Sequence, residues 1–198
     1  MPTIEDLRYL QSMPLDIKVA MTKTRIREWV NHYGVSGVYV SFSGGKDSTV
    51  LLHIARSMYS DIPACFVDTG LEYPEIKAFV KTFENVDIIR PKKTFKQVIC
   101  EYGYPFISKD VSRKLYFFRK GSEWAKKFLD PEYKSQYQIQ RFLPIAEADF
   151  VISNICCDVM KKSPAHRYSR ETGGANAFDS TNGRRKQIAL AKVVTKRM

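Results

Sequence analysis

The order of residue types between positions 37 and 60 constrains the fold of this chain more than any other feature. The apolar run GVYVSF has the β-branched and aromatic content of a buried strand. The sequence SGGKDS follows it directly, and after that Val50, Leu51, Ile54 and Met58 fall on one face of a helix. This stretch therefore predicts a strand, a glycine turn and a helix in direct succession.

This alternation of strand and helix is then repeated twice. Strands are predicted over 62–70 and 86–91, and helices over 73–85 and 94–103, with Gly103 as the stop of the last helix. Strands that alternate with helices at this spacing join through right-handed crossovers onto a parallel sheet. The predicted fold class is α/β, a doubly wound, mostly parallel sheet flanked by helices.

Three segments are predicted along the 198 residues. Residues 1–35 form an N-terminal helical extension, with a helix over about 15–32. Residues 36–170 form the α/β domain, and two basic, aromatic-rich helices are predicted within it over 108–130. Residues 171–198 form a basic tail, which is expected to be disordered or truncated.

A formal net charge of +11 indicates an anionic partner, which could be a nucleotide, sulfate or nucleic acid. Much of the excess lies from Thr181 onward, where six residues are basic and none is acidic. No run of about 18 apolar residues is present, and the N-terminus lacks the pattern of a signal peptide. The sequence thus predicts a cytoplasmic protein with no membrane partner, whose four cysteines are reduced.

The glycine turn lies where a phosphate group is readily bound. In an open parallel sheet, ligands bind outside the carboxyl ends of the strands, and the turn after the first strand leads into a helix N-terminus with free backbone N–H groups. Gly44 and Gly45 let an anion approach the backbone with no Cβ in between. Lys46 adds a mobile positive charge. Hydroxyl donors stand at four positions, Ser41, Ser43, Ser48 and Thr49.

Two common phosphate loops do not fit this sequence. A Walker A loop has glycine, four residues and then Gly-Lys-Ser/Thr, but Val40 stands at the first glycine position and Asp47 follows Lys46. The dinucleotide pattern G-x-G-x-x-G is absent. Instead, SFSGGKDST resembles the pyrophosphate loop, or PP-loop, of the adenine nucleotide α-hydrolases, the superfamily of N-type ATP pyrophosphatases. This resemblance implies that residues 43–48 bind ATP, with Lys46, Asp47 and Ser48 as catalytic residues.

A second stretch, FVDTGLEYPEIKAFV (66–80), resembles a signature of the phosphoadenosine phosphosulfate (PAPS) reductase and ATP sulfurylase small-subunit family. In that family an Asp-Thr-Gly at the end of the second strand precedes an aromatic-Pro-Glu helix start. The resemblance implies that Asp68, Thr69 and Gly70 contact the nucleotide. Asp68 would bind the ribose hydroxyls or a Mg²⁺ ion beside the phosphates.

Two further stretches, PFISKDVSRKLY and ISNICCDVMKKSPAHRY, resemble segments of bacterial and phage members of the same family. They imply a site for the sulfate or phosphate of the bound nucleotide, and candidate thiols. The implied anion-binding residues are Lys109, Arg113, Lys161 and Lys162, and the candidate thiols are Cys156 and Cys157. The resemblance covers residues 38 to about 168.

The sequence departs from the family at its cysteines. The Glu-Cys-Gly-x-His segment of the thiol-dependent PAPS reductases is absent, and no cysteine follows Cys157 to complete the ligands of an iron–sulfur cluster. No cluster is therefore expected within this chain. Cys65 and Cys100 fall in a predicted strand and a predicted helix, so both are expected to be small core residues.

Because the glycine loop is intact, the resemblance favours an enzyme that binds ATP and Mg²⁺ and cleaves the α–β bond, with AMP transfer and release of pyrophosphate. Its setting would be sulfur metabolism or thiolation. Three alternatives stay open. The chain could be a reductase of PAPS or adenosine phosphosulfate, an enzyme that thiolates nucleic acid, or a non-catalytic nucleotide-binding subunit. The last of these needs a protein partner, and the chain could also form a homo-oligomer.

Overall fold

The computed structural model describes residues 3–172 and 186–188, and the chain divides into two compact units. Of the described residues, unit 1 contains 3–68, 72–90, 165–172 and 186–188, and unit 2 contains 69–71 and 91–164. The segment boundaries predicted after residues 35 and 170 stay predictions. Most of the predicted tail, 171–198, lies outside the described residues.

The helices of the described residues occupy both units. In chain order they are α1 (Ile4–Ser12), α2 (Leu15–Tyr33), α3 (Lys46–Met58), α4 (Pro74–Lys81), α5 (Phe95–Tyr102), α6 (Lys109–Arg119), α7 (Glu123–Lys126), α8 (Leu143–Ala146) and α9 (Ser163–Glu171). A π-helical turn, Asp158–Lys162, leads into α9. Within these described elements, no helix is both long enough and apolar enough to span a membrane.

A parallel sheet forms the centre of unit 1. Its strands are β1 (Val38–Ser41), β2 (Ala64–Val67), β3 (Val86–Ile89) and β4 (Lys186–Ile188), in the spatial order β3–β2–β1–β4. Val40 of β1 stands opposite Ala64 of β2 on one side and Ile188 of β4 on the other. The predicted α/β class with a parallel sheet is confirmed.

Helices cover both faces of this sheet because side chains alternate along β1. Val38 and Val40 point into the main apolar core, which α2, α3 and α4 complete. Tyr39 points to the opposite face, where its ring meets the Tyr168 ring of α9 edge-on at 5.0 Å between centroids. The Tyr168 hydroxyl donates to the Asp87 carboxylate of β3 at 2.5 Å. Both layers of a doubly wound sheet are therefore present in unit 1.

The N-terminal part of unit 1 contains one predicted and one unpredicted helix. α2 confirms the helix predicted over 15–32. α1 was not predicted, and it buries no residue. Its start is nevertheless visible in the sequence, since Thr3 and Asp6 form a reciprocal capping box.

Unit 2 has an apolar core of its own. It is formed by Val111, Leu115, Phe128, Leu129, Ile139, Ala146 and Ile152. Lys114 is buried beside this core, pairs with Asp110 at 2.5 Å and donates to the Tyr137 carbonyl at 2.8 Å. The charge of this lysine is therefore compensated where it lies.

Arg119, the last residue of α6, organises an irregular segment of unit 2. Its guanidinium donates to four backbone carbonyls, those of Ile145 at 2.9 Å, Ala146 at 2.7 Å, Ala148 at 2.6 Å and Phe150 at 2.5 Å. A planar group with five N–H donors can reach several acceptors at once, which an ammonium cannot do in the same fixed geometry.

Gly103 ends α5 as predicted, and the chain then runs close to a neighbouring segment of unit 2. Its φ is +92°, a left-handed conformation that favours glycine. The next residue, Tyr104, accepts from the Ser153 amide at 3.0 Å and donates to the Val151 carbonyl at 2.8 Å. A Cβ at position 103 would lie 2.3 Å from that carbonyl oxygen. Both backbone conformation and space therefore require glycine here.

Candidate functional site

The loop 43–48 connects β1 to α3 at the carboxyl edge of the sheet. Because the strand order is β3–β2–β1–β4, the chain moves to one side of β1 with β2 and β3 and to the other with β4. The loop thus lies at the point where the winding of the sheet reverses, the usual place for a ligand in an open α/β sheet. Ser41 ends β1, half-buried, just before the loop.

Hydroxyl groups hold the loop in one conformation. The Ser48 hydroxyl donates to the Gly45 carbonyl at 3.0 Å and accepts from the Ser43 amide at 3.2 Å. The Ser43 and Ser48 hydroxyls are 2.9 Å apart, and the Thr49 hydroxyl reaches the Gly45 carbonyl at 2.9 Å. Ser48 is therefore a positioning residue of the loop, in addition to the catalytic role that the sequence predicts for it.

The first turn of α3 presents unused donors. The helical ladder starts with the Thr49 amide, which donates to the Gly45 carbonyl at 3.0 Å. Within residues 3–172, the amides of Lys46, Asp47 and Ser48 donate to no protein acceptor, as expected for the first residues of a helix. The side chains of Lys46 and Asp47 are exposed. Free N–H groups, a helix N-terminus and a lysine form a positive environment suited to an anion.

Gly44 is the most constrained residue of this loop. Its φ is +72°, and a Cβ there would lie 2.8 Å from Ile76 and 3.0 Å from the buried Val80, both on α4. Gly45 differs, since its φ is −83° and a Cβ would meet only the Ser43 hydroxyl at 3.4 Å. The first glycine is thus required by the fold, whereas the second leaves space on the surface of the loop.

Asp68, at the carboxyl end of β2, lies between two cations. It is 7% exposed, and its two carboxylate oxygens lie 2.7 Å from the Lys77 ammonium and 3.2 Å from the Arg90 guanidinium. Its amide donates to the Ile89 carbonyl at 2.8 Å. Because loop 43–48, Asp68 and Arg90 each follow a parallel strand, all three lie at the same edge of the sheet.

Lys77 and Arg90 are site residues that the sequence analysis missed. Arg90 directly follows β3, so the rule that places ligands at the carboxyl ends of parallel strands would have found it. Lys77 lies in the first turn of α4, whose start the sequence does predict. A third arginine, Arg167 of α9, donates to the Arg90 carbonyl at 2.7 Å. This edge of unit 1 is therefore more basic than the motifs alone indicate.

The surroundings of Asp68 do not fit a protein-held Mg²⁺ ion well. Both carboxylate oxygens already face a cation, so a metal would compete with Lys77 and Arg90. Across the part of the chain that the structure describes, no three His, Cys, Asp or Glu side chains are arranged to bind a metal ion. Any Mg²⁺ would have to be held largely by the phosphates of a bound nucleotide, which is a common arrangement for this ion.

The other predicted site residues lie in unit 2. Thr69 is buried and its hydroxyl accepts from the Leu71 amide at 3.3 Å, while Gly70 is exposed with a φ of +84°. The Lys162 ammonium lies 2.5 Å from the Asp158 carboxylate. That hydrogen bond raises the pKa of Lys162, and the neighbouring Cys157 and Lys109 contribute smaller effects. Unit 2 thus brings together three of the predicted residues, Lys109, Lys162 and Cys157.

Arg113 and Lys161 have different surroundings within unit 2. Arg113 faces Asp110 at 3.6 Å and lies over the Trp124 ring, 4.9 Å from its centroid. Lys161 is exposed on the π-helical turn, and Cys156 is half-buried in the helical turn before it. Their predicted roles toward a nucleotide anion or as a thiol stay predictions.

The four cysteines have three kinds of environment. Cys65 is buried in β2, as predicted, and burial together with the nearby Asp87 raises the pKa of its thiol to about 12. The prediction that Cys100 is a core residue is wrong, because it is exposed on α5, whose buried side chains are Val98 and Ile99. An apolar helix of eight residues does not itself show which of its faces will be buried.

Alkylation of the native protein should separate these cysteines by exposure. With iodoacetamide at about pH 8, Cys100 is expected to react first, Cys156 and Cys157 more slowly, and Cys65 only after unfolding, because burial suppresses its thiolate. Peptide mass spectrometry after timed quenching measures this order. Equal rates for Cys65 and Cys100 in the folded protein would contradict the buried position of β2.

Comparison with known proteins finds a match to one protein family in the central part of the chain. Residues 37–126 match the family model of the phosphoadenosine phosphosulfate reductase domain, which begins just before β1 and ends with α7. This stretch of the chain is similar to the PAPS reductase domain. Its match contains loop 43–48, Asp68 and α6.

Individual proteins similar to this chain match it over stretches of 73 to 108 residues. A phosphoadenosine 5'-phosphosulfate reductase of Xylella fastidiosa is 25% identical over 108 residues, which is 52% of this chain and 45% of the relative. One of Xanthomonas campestris pv. campestris is 28% identical over 99 residues, 46% of this chain and 38% of the relative. An uncharacterised protein of Methanocaldococcus jannaschii is 41% identical over 73 residues, 34% of this chain and 15% of the relative. The chain thus spans less than half the length of each of these relatives.

Proposed function

We propose that this PAPS reductase-family chain is an enzyme that binds ATP through loop 43–48 and cleaves its α–β bond, transferring AMP and releasing pyrophosphate. The observation that carries the proposal is the loop itself. Its glycines, free amides and lysine lie at the helix N-terminus where the strand winding reverses. Sulfur metabolism or thiolation is the proposed setting.

The proposed reaction is a displacement at the α-phosphorus. An acceptor oxygen, such as that of sulfate or of a carbonyl to be activated, forms a new bond to phosphorus. The bond from phosphorus to the bridging oxygen breaks, and pyrophosphate leaves with that bonding electron pair. Such a reaction requires mainly positioning and stabilisation of charge on the phosphate oxygens. The amides of 46–48 and the Lys46 ammonium are the donors of this chain suited to that task.

Asp68 is proposed to contact the ribose. Its carboxylate is held in position by Lys77 at 2.7 Å and Arg90 at 3.2 Å, at the edge of the sheet where the nucleotide is proposed to bind. Bound Mg²⁺ would supply positive charge at the leaving pyrophosphate. Because Asp68 is already paired, we assign that ion to the nucleotide and not to a protein site.

The test is an assay of the products formed from ATP. The purified chain is incubated with ATP and Mg²⁺, with and without sulfate, and pyrophosphate and orthophosphate are measured separately. Pyrophosphate together with AMP or an adenylated product is the expected result. Orthophosphate alone would show cleavage at another bond, and tight ATP binding without turnover would favour a non-catalytic subunit.

Replacement of Lys46 by alanine is expected to reduce pyrophosphate release about 100-fold, the usual effect of removing one donor that stabilises transition-state charge. Its side chain is exposed and has no ion pair among the described residues, so the melting temperature should not change. Lys81→Ala, at an exposed lysine in the last turn of α4, is the matched control. Equal activity of the two variants would remove Lys46 from the mechanism.

A reductase of PAPS is the second candidate, favoured by the similarity to the Xylella and Xanthomonas reductases. Such an enzyme transfers two electrons from a pair of thiols to PAPS and releases sulfite and adenosine bisphosphate, with a disulfide as the oxidised product. Dithiothreitol can supply those electrons in a separate assay with PAPS. If sulfite forms, and Cys156→Ser or Cys157→Ser abolishes it, this candidate replaces ATP cleavage.

A further inference from the structure

Unit 2 carries an exposed group of residues on α6, α7 and the adjoining turns, here called the aromatic–basic face. Its members are Arg113, Phe117, Lys120, Trp124 and Lys127. Phe117 and Trp124 are 41% and 40% exposed, and their ring centroids are 6.1 Å apart. Two large rings left in contact with water, with an arginine over one of them, indicate a binding surface.

The rings of this face are held by others beneath and beside them. Phe117 contacts Tyr116 at 5.5 Å, Trp124 contacts Phe128 at 5.0 Å, and Phe128 contacts Tyr133 at 5.5 Å between centroids. Phe128 is only 7% exposed and belongs to the core of unit 2. The exposed rings are therefore fixed before any ligand arrives, which lowers the entropy cost of binding.

Positive charge is concentrated on the same elements. Between residues 113 and 127, six residues are basic and a single one is acidic. Lys114 and Arg119 are occupied with backbone carbonyls, but Lys120 and Lys127 have no carboxylate partner among the described residues. Their ammonium groups lie 5.8 Å from the Tyr116 ring and 5.1 Å from the Phe128 ring. The ammonium groups of Lys120 and Lys127 thus lie beside the rings and are available to bind an anion.

We propose that the aromatic–basic face binds single-stranded nucleic acid. Unpaired bases stack on Phe117 and Trp124, and phosphates lie against Arg113, Lys120 and Lys127. A duplex fits less well, because its base faces are already stacked on one another. An acidic peptide would satisfy the cations but would offer no flat rings to the aromatic platform. The proposal does not depend on ATP cleavage, since it concerns residues other than those of loop 43–48.

Binding is tested with fluorescein-labelled oligothymidylate and oligouridylate of about 12 nucleotides. Both sugars are used, since stacking and phosphate contacts do not distinguish them. At about 50 mM KCl, anisotropy is expected to show binding of these strands, and a strand of the same length without bases should bind at least fivefold more weakly. Failure of both strands to bind, or preference for a duplex of the same length, would overturn the proposal.

Substitution of Trp124 separates stacking from charge. Trp124→Ala is expected to weaken binding about 5- to 100-fold, whereas Trp124→Phe retains a ring and most of the affinity. Tyr9→Ala, at a 67% exposed ring on α1, is the matched control and should bind as the unaltered chain does. Circular dichroism checks that each variant is folded. Equal affinity of Trp124→Ala and the control would overturn the assignment of the rings.

The lysines are tested by the dependence of binding on salt. Lys120→Gln combined with Lys127→Gln removes two phosphate contacts, so the slope of log affinity against log salt should fall in magnitude by about 1.4. Lys81→Gln combined with Lys96→Gln changes the net charge equally at exposed positions elsewhere and should leave the slope unchanged. The same slope change in both double variants would show only a general charge effect and contradict a localised site.

Discussion

Gly103→Ala is expected to destabilise unit 2 by about 3–5 kcal/mol, the range of the largest single-substitution effects. Alanine would be placed at a φ of +92°, and its Cβ would lie 2.3 Å from the Val151 carbonyl oxygen and 2.5 Å from the carbonyl carbon. Relief would require Val151 to move, although its carbonyl accepts from the Tyr104 amide at 2.8 Å. The substitution thus combines backbone strain, a collision and a broken pairing.

Gly121→Ala provides the matched control for Gly103→Ala. Its φ of +77° is also left-handed, but a Cβ there would meet nothing within 4 Å. The free energy of unfolding of this variant is expected to fall by only about 1 kcal/mol, because alanine is strained at a positive φ but collides with nothing. Urea denaturation followed by circular dichroism measures the free energy of unfolding of both variants. Similar decreases in the two would show that the contact with Val151 does not destabilise the Gly103→Ala variant.

Gly44→Ala is expected to lower the free energy of unfolding by about 2–4 kcal/mol and to abolish the proposed nucleotide binding. Its φ is +72°, and the added methyl group would collide with Ile76 and Val80, one of which is fully buried. Either α4 moves away from the loop or the loop changes its course. Thermal denaturation measures the loss of stability, and equilibrium dialysis with ATP measures the loss of binding.

Gly45→Ala separates folding from binding at the same loop. Since its φ is −83° and its nearest neighbour would be the Ser43 hydroxyl at 3.4 Å, the melting temperature is expected to stay close to that of the unaltered chain. A methyl group on the backbone that is proposed to face the phosphates should nevertheless weaken ATP binding about tenfold. Unchanged ATP binding by a stably folded Gly45→Ala chain would contradict the placement of phosphates on this loop.

The order of elements around loop 43–48 could be predicted because local patterns determine it. β1, β2 and β3 are short apolar runs, and the helices between them show one apolar face each. Their ends were less predictable. The helix predicted over 73–85 ends at Lys81, because the chain turns through Asn85, with a φ of +50°, to enter β3. A pattern of apolar residues does not report such a turn.

The loop of the candidate site could be predicted, but most of its neighbours could not. Gly44, Gly45 and Lys46 are contiguous, so a single motif contains them. The ion pairs of Asp68 join residues nine and 22 positions away, and only the folded sheet brings them together. The prediction for Cys100 was wrong for a similar reason, because the tertiary packing around α5 determines which of its faces is buried.

The contacts of Arg119 have a consequence for how unit 2 opens. The carbonyls of Ile145, Ala146, Ala148 and Phe150 all accept from one side chain that is 26 to 31 residues away in the sequence. Segment 145–150 is mostly irregular in form, yet it cannot fray independently of α6 without breaking its hydrogen bonds to Arg119. We therefore expect this segment to unfold together with α6. Hydrogen exchange of its amides would then have the free energy of unfolding of unit 2 as a whole, although the segment has the form of a surface turn.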